Sequence, residues 1–349
     1  MKYEELVSVL EAAGKPTRTV DVGGGSRVLL LPHGGRVLGL FSARDDENFY
    51  WTHEALSRPD TAKAFYASGD WENSGGDRTW LAPEVDIFFP RYPDLDMSGY
   101  FQPRQLDPGR YGVEQIGRNA ILRNRFSLRM SRSKTEMELE IAKWVQPTAN
   151  PLRYEKCWRR AANVDFSGYE QHTSLEILGG NENVGLWNLI QMPHGGELIV
   201  ATCTRTEPKV YFGAIADRDL SVQDHAIRWH MRAQGEQKIG IRAAATTGRA
   251  GYIYRSAQTT TLIVRNFVVN PAGEYIDVPW AEPDDFGYSV QACNVASRLG
   301  SFSELEYHVP AIGESTGNMR CEDISQVWAF RGREEAIREI AAILLGSAT

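Results

Sequence analysis

Long runs of alternating apolar and polar side chains constrain this chain more than any other feature. In "TEMELEIAKWV" (135–145), Met137, Leu139 and Ile141 point one way and Glu136, Glu138 and Glu140 the other. That period of two marks a strand with one wet face. Just before it, "RFSLRMS" alternates Phe126, Leu128 and Met130 with Ser127, Arg129 and Ser131, and the polar "SRSK" between the two predicts a hairpin. Further strands are expected in "SRVLLLPHG", "RVLGLFS", "QHTSLEILG", "LWNLIQMP", "GELIVATCT", "KVYFGAI", "AGYIYRS", "TTTLIVRNFVV", "YSVQACNV" and "FSELEYHV". The 32 Gly and 16 Pro supply turns for a chain of many short strands. Helical periodicity is confined to the ends. One helix is expected over about residues 2–14 and another over about 332–346, where Ile337, Ile340, Ala341 and Leu344 form a stripe and Gly346 a stop.

The expected order is therefore helix, about twenty strands, helix. No βαβ rhythm appears, which argues against a parallel nucleotide-binding sheet. "DVGGGSR" (21–27) leads into another strand, with no helix whose N-terminus would take an anion, so it reads as a hairpin turn. With no repeat and no low-complexity linker, residues 1–349 are expected to form a single antiparallel all-β domain.

Charge and motifs narrow the function. With 38 basic against 45 acidic residues, the net charge is −7, and no basic footprint for nucleic acid or anionic lipid exists. No apolar run reaches the ~18 residues of a membrane span. The N-terminal "MKYEELVSVLEAAG" lacks the apolar centre of a signal peptide. Cys157, Cys203, Cys293 and Cys321 stand singly, which fits reduced thiols in a cytoplasmic protein better than structural zinc. The seven histidines show no HxxxH, HExxH or HxH spacing, and GxSxG is missing. No metal or organic cofactor is expected; a homodimer stays open.

Four clusters could carry chemistry. In "GGDRTWLAPE" (75–84), Asp77, Arg78, Trp80 and Glu84 combine a guanidinium fork with an indole face, which together suit the hydroxyls and C–H faces of a sugar. An Asp–Arg pair pinning a loop, with Trp80 in the core, is the structural alternative. In "FSELEYHVPAIG" (302–313), Glu304, Glu306 and His308 share one strand face. If wet, that stripe is a solvated face; if it lines a pocket, burial raises a carboxyl pKa toward general acid–base use. "GLWNLIQMPHGGE" (185–197) places Trp187, Asn188, Gln191 and His194 on a strand and its turn, for binding or for the core. "GIRAAATTGRAGYIYR" (240–255) flanks a turn with Arg242, Arg249 and Tyr252, a pattern that reads first as structural.

The order of these segments resembles the galactose mutarotase-like superfamily, the aldose 1-epimerase type of β-supersandwich, and its uncharacterised branches most of all. The likeness runs from about residue 20 to 330, and "GGDRTWLAPE" and "LEYHVP" are its specific parts. The resemblance implies that Glu306 is the catalytic base, that Arg78 grips sugar hydroxyls, and that His308 stands where the family has Gln. From the clusters themselves, Asp77, Trp80, Glu84, Trp187, Asn188, Gln191, His194 and Arg249 are expected in the binding wall, with Glu84 in the shell that orients Arg78. The family's acid histidine belongs to an N-H-x-Y-F-N-L strand; "GLWNLIQM" stands there instead, leaving His172, His194 or His308 for the role. The implied function is acid–base epimerase or mutarotase chemistry on a small-molecule sugar or derivative. The alternatives are carbohydrate binding without catalysis, or a lyase or hydrolase for a uronate or keto-sugar.

Overall fold

A computed structural model describes residues 1–116, 119–155, 163–256, 258–282 and 284–346. Two antiparallel sheets carry the fold. The first has nine strands in the spatial order β1 (Arg18–Gly23), β2 (Ser26–Leu31), β3 (Arg36–Phe41), β4 (Asp77–Ala82), β9 (Gly185–Pro193), β18 (Gly300–His308), β17 (Tyr288–Ser297), β14 (Gly235–Arg242) and β11 (Lys209–Phe212). The second has ten: β12 (Leu220–Val222), β13 (Ala226–His230), β10 (Glu197–Thr202), β15 (Thr246–Arg255), β16 (Thr260–Phe267), β19 (Arg320–Gly332), β8 (Asp165–Gly179), β7 (Glu136–Pro147), β6 (Asn119–Arg129) and β5 (Gly112–Ile116). Every strand expected from alternation is present. The "SRSK" hairpin joins β6 to β7, and "DVGGGSR" turns β1 into β2 with Gly23 opposite Ser26.

The terminal helices are α1 (Tyr3–Ala12) and α4 (Glu334–Leu345), the latter stopped by Gly346 in the left-handed region. Two more helices depart from the expected order. These are α2 (Pro59–Ala67), started by a proline in its first turn, and the single turn α3 (Glu84–Ile87) after β4. "PDTAKAFYA" is short and buries only Ala62 fully, so its periodicity is faint.

Inward side chains of both sheets, among them Ile190, Val290, Leu305, Tyr169, Ile263 and Val327, make the largest core cluster. The opposite face of the nine-stranded sheet is left for other work. The glycines of "GGDRTW" lead into β4, a fully buried central strand whose first two residues are Asp77 and Arg78. Its two leading glycines have a packing reason. Gly75 and Gly76 take φ +99° and +77°, and a Cβ would fall 2.3 Å from the Trp51 carbonyl oxygen and 2.4 Å from that of Val37. Only glycine lets three backbone segments meet there.

Candidate functional site

Strand register writes the floor of a cleft on the outer face of the nine-stranded sheet. Lys238 pairs with Cys293, Cys293 with Glu304, and Glu304 with Gln191. Four neighbouring strands therefore set these side chains in one row, about 4.8 Å apart. In the next row Glu306 faces Leu189, which faces Arg78; in the row after, His308, Trp187 and Trp80 stand side by side. The resulting cleft encloses about 200 Å³, with Arg78, Lys238, Glu304 and Glu306 in its floor and Trp71, Trp80, Tyr100, Trp187, Trp280 and Phe302 in its walls.

Glu306 has no exposed surface. Trp187 Nε1 donates to its Oε2 at 2.8 Å, the Lys238 ammonium lies 3.5 Å from the same oxygen, and Oε1 has no partner. Burial pushes this carboxyl up to about 8; Lys238 opposes the shift, and Glu304, Glu84 and Asp277 reinforce it. Lys238 is also buried, 3.8 Å from Glu84 and 3.9 Å from Asp277, and 4.3 Å above the Trp187 ring. Burial works against its charge, but Glu306, Glu84 and Asp277 outweigh that and hold the ammonium above its ordinary range. It is a permanent cation ringed by three acids.

The rest of the site positions these groups. Arg78 Nη2 donates to Glu304 Oε1 at 3.0 Å and Nη1 to Asn73 at 3.0 Å, with the guanidinium 4.1 Å above the Trp80 ring. Gln191 donates to the same Glu304 oxygen at 2.8 Å. Asp107, itself held by Arg36 at 3.1 Å, accepts from the indole nitrogens of Trp71 at 3.0 Å and Trp80 at 2.9 Å, and so aims two walls at once. Glu84 was expected to orient Arg78. It accepts from Tyr100 at 2.7 Å and Trp280 at 2.8 Å instead, and faces Lys238. Burial raises its carboxyl, with Lys238 opposing.

Arg78, Trp80, Glu84, Trp187 and Glu306 thus come together at the cleft, with Gln191 directly behind Glu304. Other expected residues do not. Asp77 and Asn188 follow the opposite parity and point between the sheets. Asp77 takes Lys143 at 3.2 Å, Tyr169 at 2.8 Å and Arg265, while Asn188 bonds Thr79 and Tyr307. His308 does share a face with Glu304 and Glu306, but it stacks on Trp187 at 5.5 Å, outside the lining, and neither ring nitrogen has a partner. Burial and then Lys238 hold its pKa well below the ordinary value. His194 contacts the Ala233 carbonyl, and Arg249 donates to the Leu344 carbonyl at the end of α4. His172 stacks on Trp144 in the other sheet, and Arg242 pairs with Asp285. The arginines at 78, 242 and 249 therefore form no carboxylate-binding cluster.

The sequence reading missed Lys238, Cys293, Tyr100 and Trp280. "GEQKIGIR" did carry a signal, because an alternating strand puts Glu236 and Lys238 on one face opposite Ile239 and Ile241. Cys293 Sγ and oxygens of Glu304 and Glu306 lie within 4.8 Å of one another, the one grouping of metal-ligand type found among the described residues. It suits a cation poorly. Arg78 and Lys238 already neutralise the two carboxylates, and burial, with both acids, pushes the Cys293 thiol well above its ordinary value. A metal needs that thiol deprotonated.

A family model described as "Family of unknown function (DUF6786)" matches residues 1–349. The chain belongs to that family. No curated protein matches it by sequence. Among solved structures, it resembles a galactose mutarotase-like protein from Lactobacillus casei with TM-score 0.52 and 9% identity, covering 90% of this chain and 99% of that one. A galactose mutarotase related enzyme from Lactobacillus acidophilus follows at 0.46 and 10%, covering 89% and 97%. A putative aldose 1-epimerase from Klebsiella pneumoniae gives 0.48 and 8%, covering 95% and 83%. The first likeness establishes a galactose mutarotase-like fold for this DUF6786 protein. Among its described residues, no helix is long and apolar enough to cross a membrane.

Proposed function

We propose that this protein is a carbohydrate-active enzyme that opens and closes a sugar ring by proton transfer at the anomeric centre. One observation carries the reading: Glu306, a buried carboxyl lining an aromatic cleft, has one oxygen unpartnered and the other beside a fixed cation. Aromatic walls suit the C–H faces of a pyranose, and about 200 Å³ lies below the ~300–1,000 Å³ typical of drug-sized ligands, which favours a single ring in this part of the site.

Glu306 Oε1 takes the proton of the anomeric hydroxyl as the bond from C1 to the ring oxygen breaks. The ring oxygen receives a proton from Glu84, the second cleft carboxyl whose pKa is raised. The open-chain aldehyde turns about its C1–C2 bond, and reversal of both transfers closes the ring with the other configuration. Lys238 faces both carboxyls and stabilises whichever is ionised. A pKa near 8 makes Glu306 a much stronger base than an ordinary carboxylate while leaving a usable ionised fraction near neutrality.

Sugar binding without catalysis is the second reading. It is favoured by the absence of an imidazole from the cleft lining among the described residues. Anomeric exchange measured by NMR on aldoses separates the two. Acceleration lost in Glu306→Gln supports the enzyme, and ligand broadening with no acceleration supports the binding protein.

A further inference from the structure

A second hollow adjoins the cleft at the tip of the β17–β18 hairpin. It encloses about 680 Å³ and is lined by Trp51, His53, Gln234, Ser297, Arg298 and Ser301 with their neighbours. The two spaces are joined in two ways. Arg298 lines both, and the Trp51 ring in the second packs 4.7 Å from the Phe302 ring in the first. Gly300 permits that contact, since a Cβ there would lie 3.1 Å from both rings.

This hollow is a built surface. Trp51 is clamped by its backbone, whose N–H donates to the Gln191 carbonyl and whose carbonyl accepts from Gly76, at 3.0 Å each. The wall of the second hollow is thus tied to β9 and to the stretch leading into β4, the same strands that carry Trp187 and Arg78. Its lining is polar around one half-buried indole. Arg298 is exposed and, among the described residues, makes no hydrogen bond or ion pair, so its five donors are available to a ligand.

Resting on the carbohydrate reading above, we propose that the preferred ligand is a reducing disaccharide or longer oligosaccharide. Its reducing-end ring occupies the Glu306 cleft and its next unit the Trp51–Arg298 hollow. The chemistry fixes the linkage. Ring opening requires a free anomeric hydroxyl on the ring beside Glu306, so the second unit is joined through another oxygen of that ring. The second ring stacks on Trp51 and passes its hydroxyls to Arg298, Gln234 and Ser301.

The test is calorimetric titration of glucose, galactose, cellobiose, maltose and lactose into wild-type protein and into Arg298→Ala and Trp51→Ala, with anomeric exchange measured by NMR on the same sugars. Arg298 is exposed, so its variant keeps the test decisive if Trp51→Ala does not fold. At least one disaccharide is expected to bind about tenfold more tightly than its monosaccharides, a difference of 1.4 kcal/mol. That gain, taken as the ratio of disaccharide to monosaccharide affinity in the same protein, is expected to vanish in Arg298→Ala. Equal affinities, a gain that survives Arg298→Ala, or no binding of any of these sugars would overturn the inference. Tight disaccharide binding without accelerated exchange would support the subsite and remove the enzyme reading. Exchange on monosaccharides without a disaccharide advantage would do the reverse.

Discussion

The Lys238 ammonium lies 3.5 Å from Glu306 Oε2 and leaves Oε1 of the same buried carboxyl without a partner. One oxygen is anchored and the other is left without a hydrogen bond in the floor residue of the cleft. Lys238 opposes the upward shift that burial imposes on Glu306, and Glu306 in turn helps keep Lys238 charged.

Activity is expected to depend on pH from both sides. Glu306 must be ionised and Glu84 protonated, so the exchange rate on a sugar is expected to climb as Glu306 releases its proton, with a midpoint near pH 8, and to fall once Glu84 has lost its own. Lys238→Gln removes the opposing charge and moves the midpoint higher. A pH–rate profile of both proteins checks the direction.

Stability is expected to fall over part of the same range. Between the ordinary carboxyl value of 4.5 and about 8, the native state holds a proton on Glu306 that the unfolded chain has released. Stability then decreases as pH rises through this window, by about 3–5 kcal/mol in total at 1.36 kcal/mol per unit. Glu306→Gln removes the titration. Urea unfolding is expected to show the variant gaining on wild type from pH 5 to pH 9.

Lys238→Met leaves Glu306, Glu84 and Asp277 buried without their shared cation. Breaking a buried charge group in this way costs about 3–5 kcal/mol. Denaturant midpoints at pH 7 measure the loss.

Asp77→Asn is expected to act on folding and leave sugar binding unchanged. Asp77 anchors Lys143, Arg265 and Tyr169 between the sheets, and losing its charge is expected to destabilise by about 3–5 kcal/mol. Sugar titration of the folded fraction should match wild type. A lost affinity would return Asp77 to the binding wall.

Alternation made most strands legible, and it gave the shared face of Glu304, Glu306 and His308 directly. The same rule, applied to β4, sends Asp77 and Arg78 to opposite faces; the charges beside Trp80 kept that buried strand out of the expected ones. The row of Lys238, Cys293, Glu304 and Gln191 was not legible, because it exists only once four distant strands take register. Nor could spacing show that Asp107 aims Trp71 and Trp80, or that His308 lies behind Trp187. His194 and Arg249 were expected in the binding wall, yet each serves a backbone carbonyl.

The most direct measurement is anomeric exchange by NMR on a panel of reducing sugars, with wild type and Glu306→Gln compared at pH 8. Wild type is expected to accelerate exchange on at least one sugar, and the Gln variant, folded and still binding it, to lose about 10²–10⁴-fold. Acceleration that persists undiminished in Glu306→Gln, or a wild type that binds sugars and never accelerates their exchange, would contradict catalysis by Glu306.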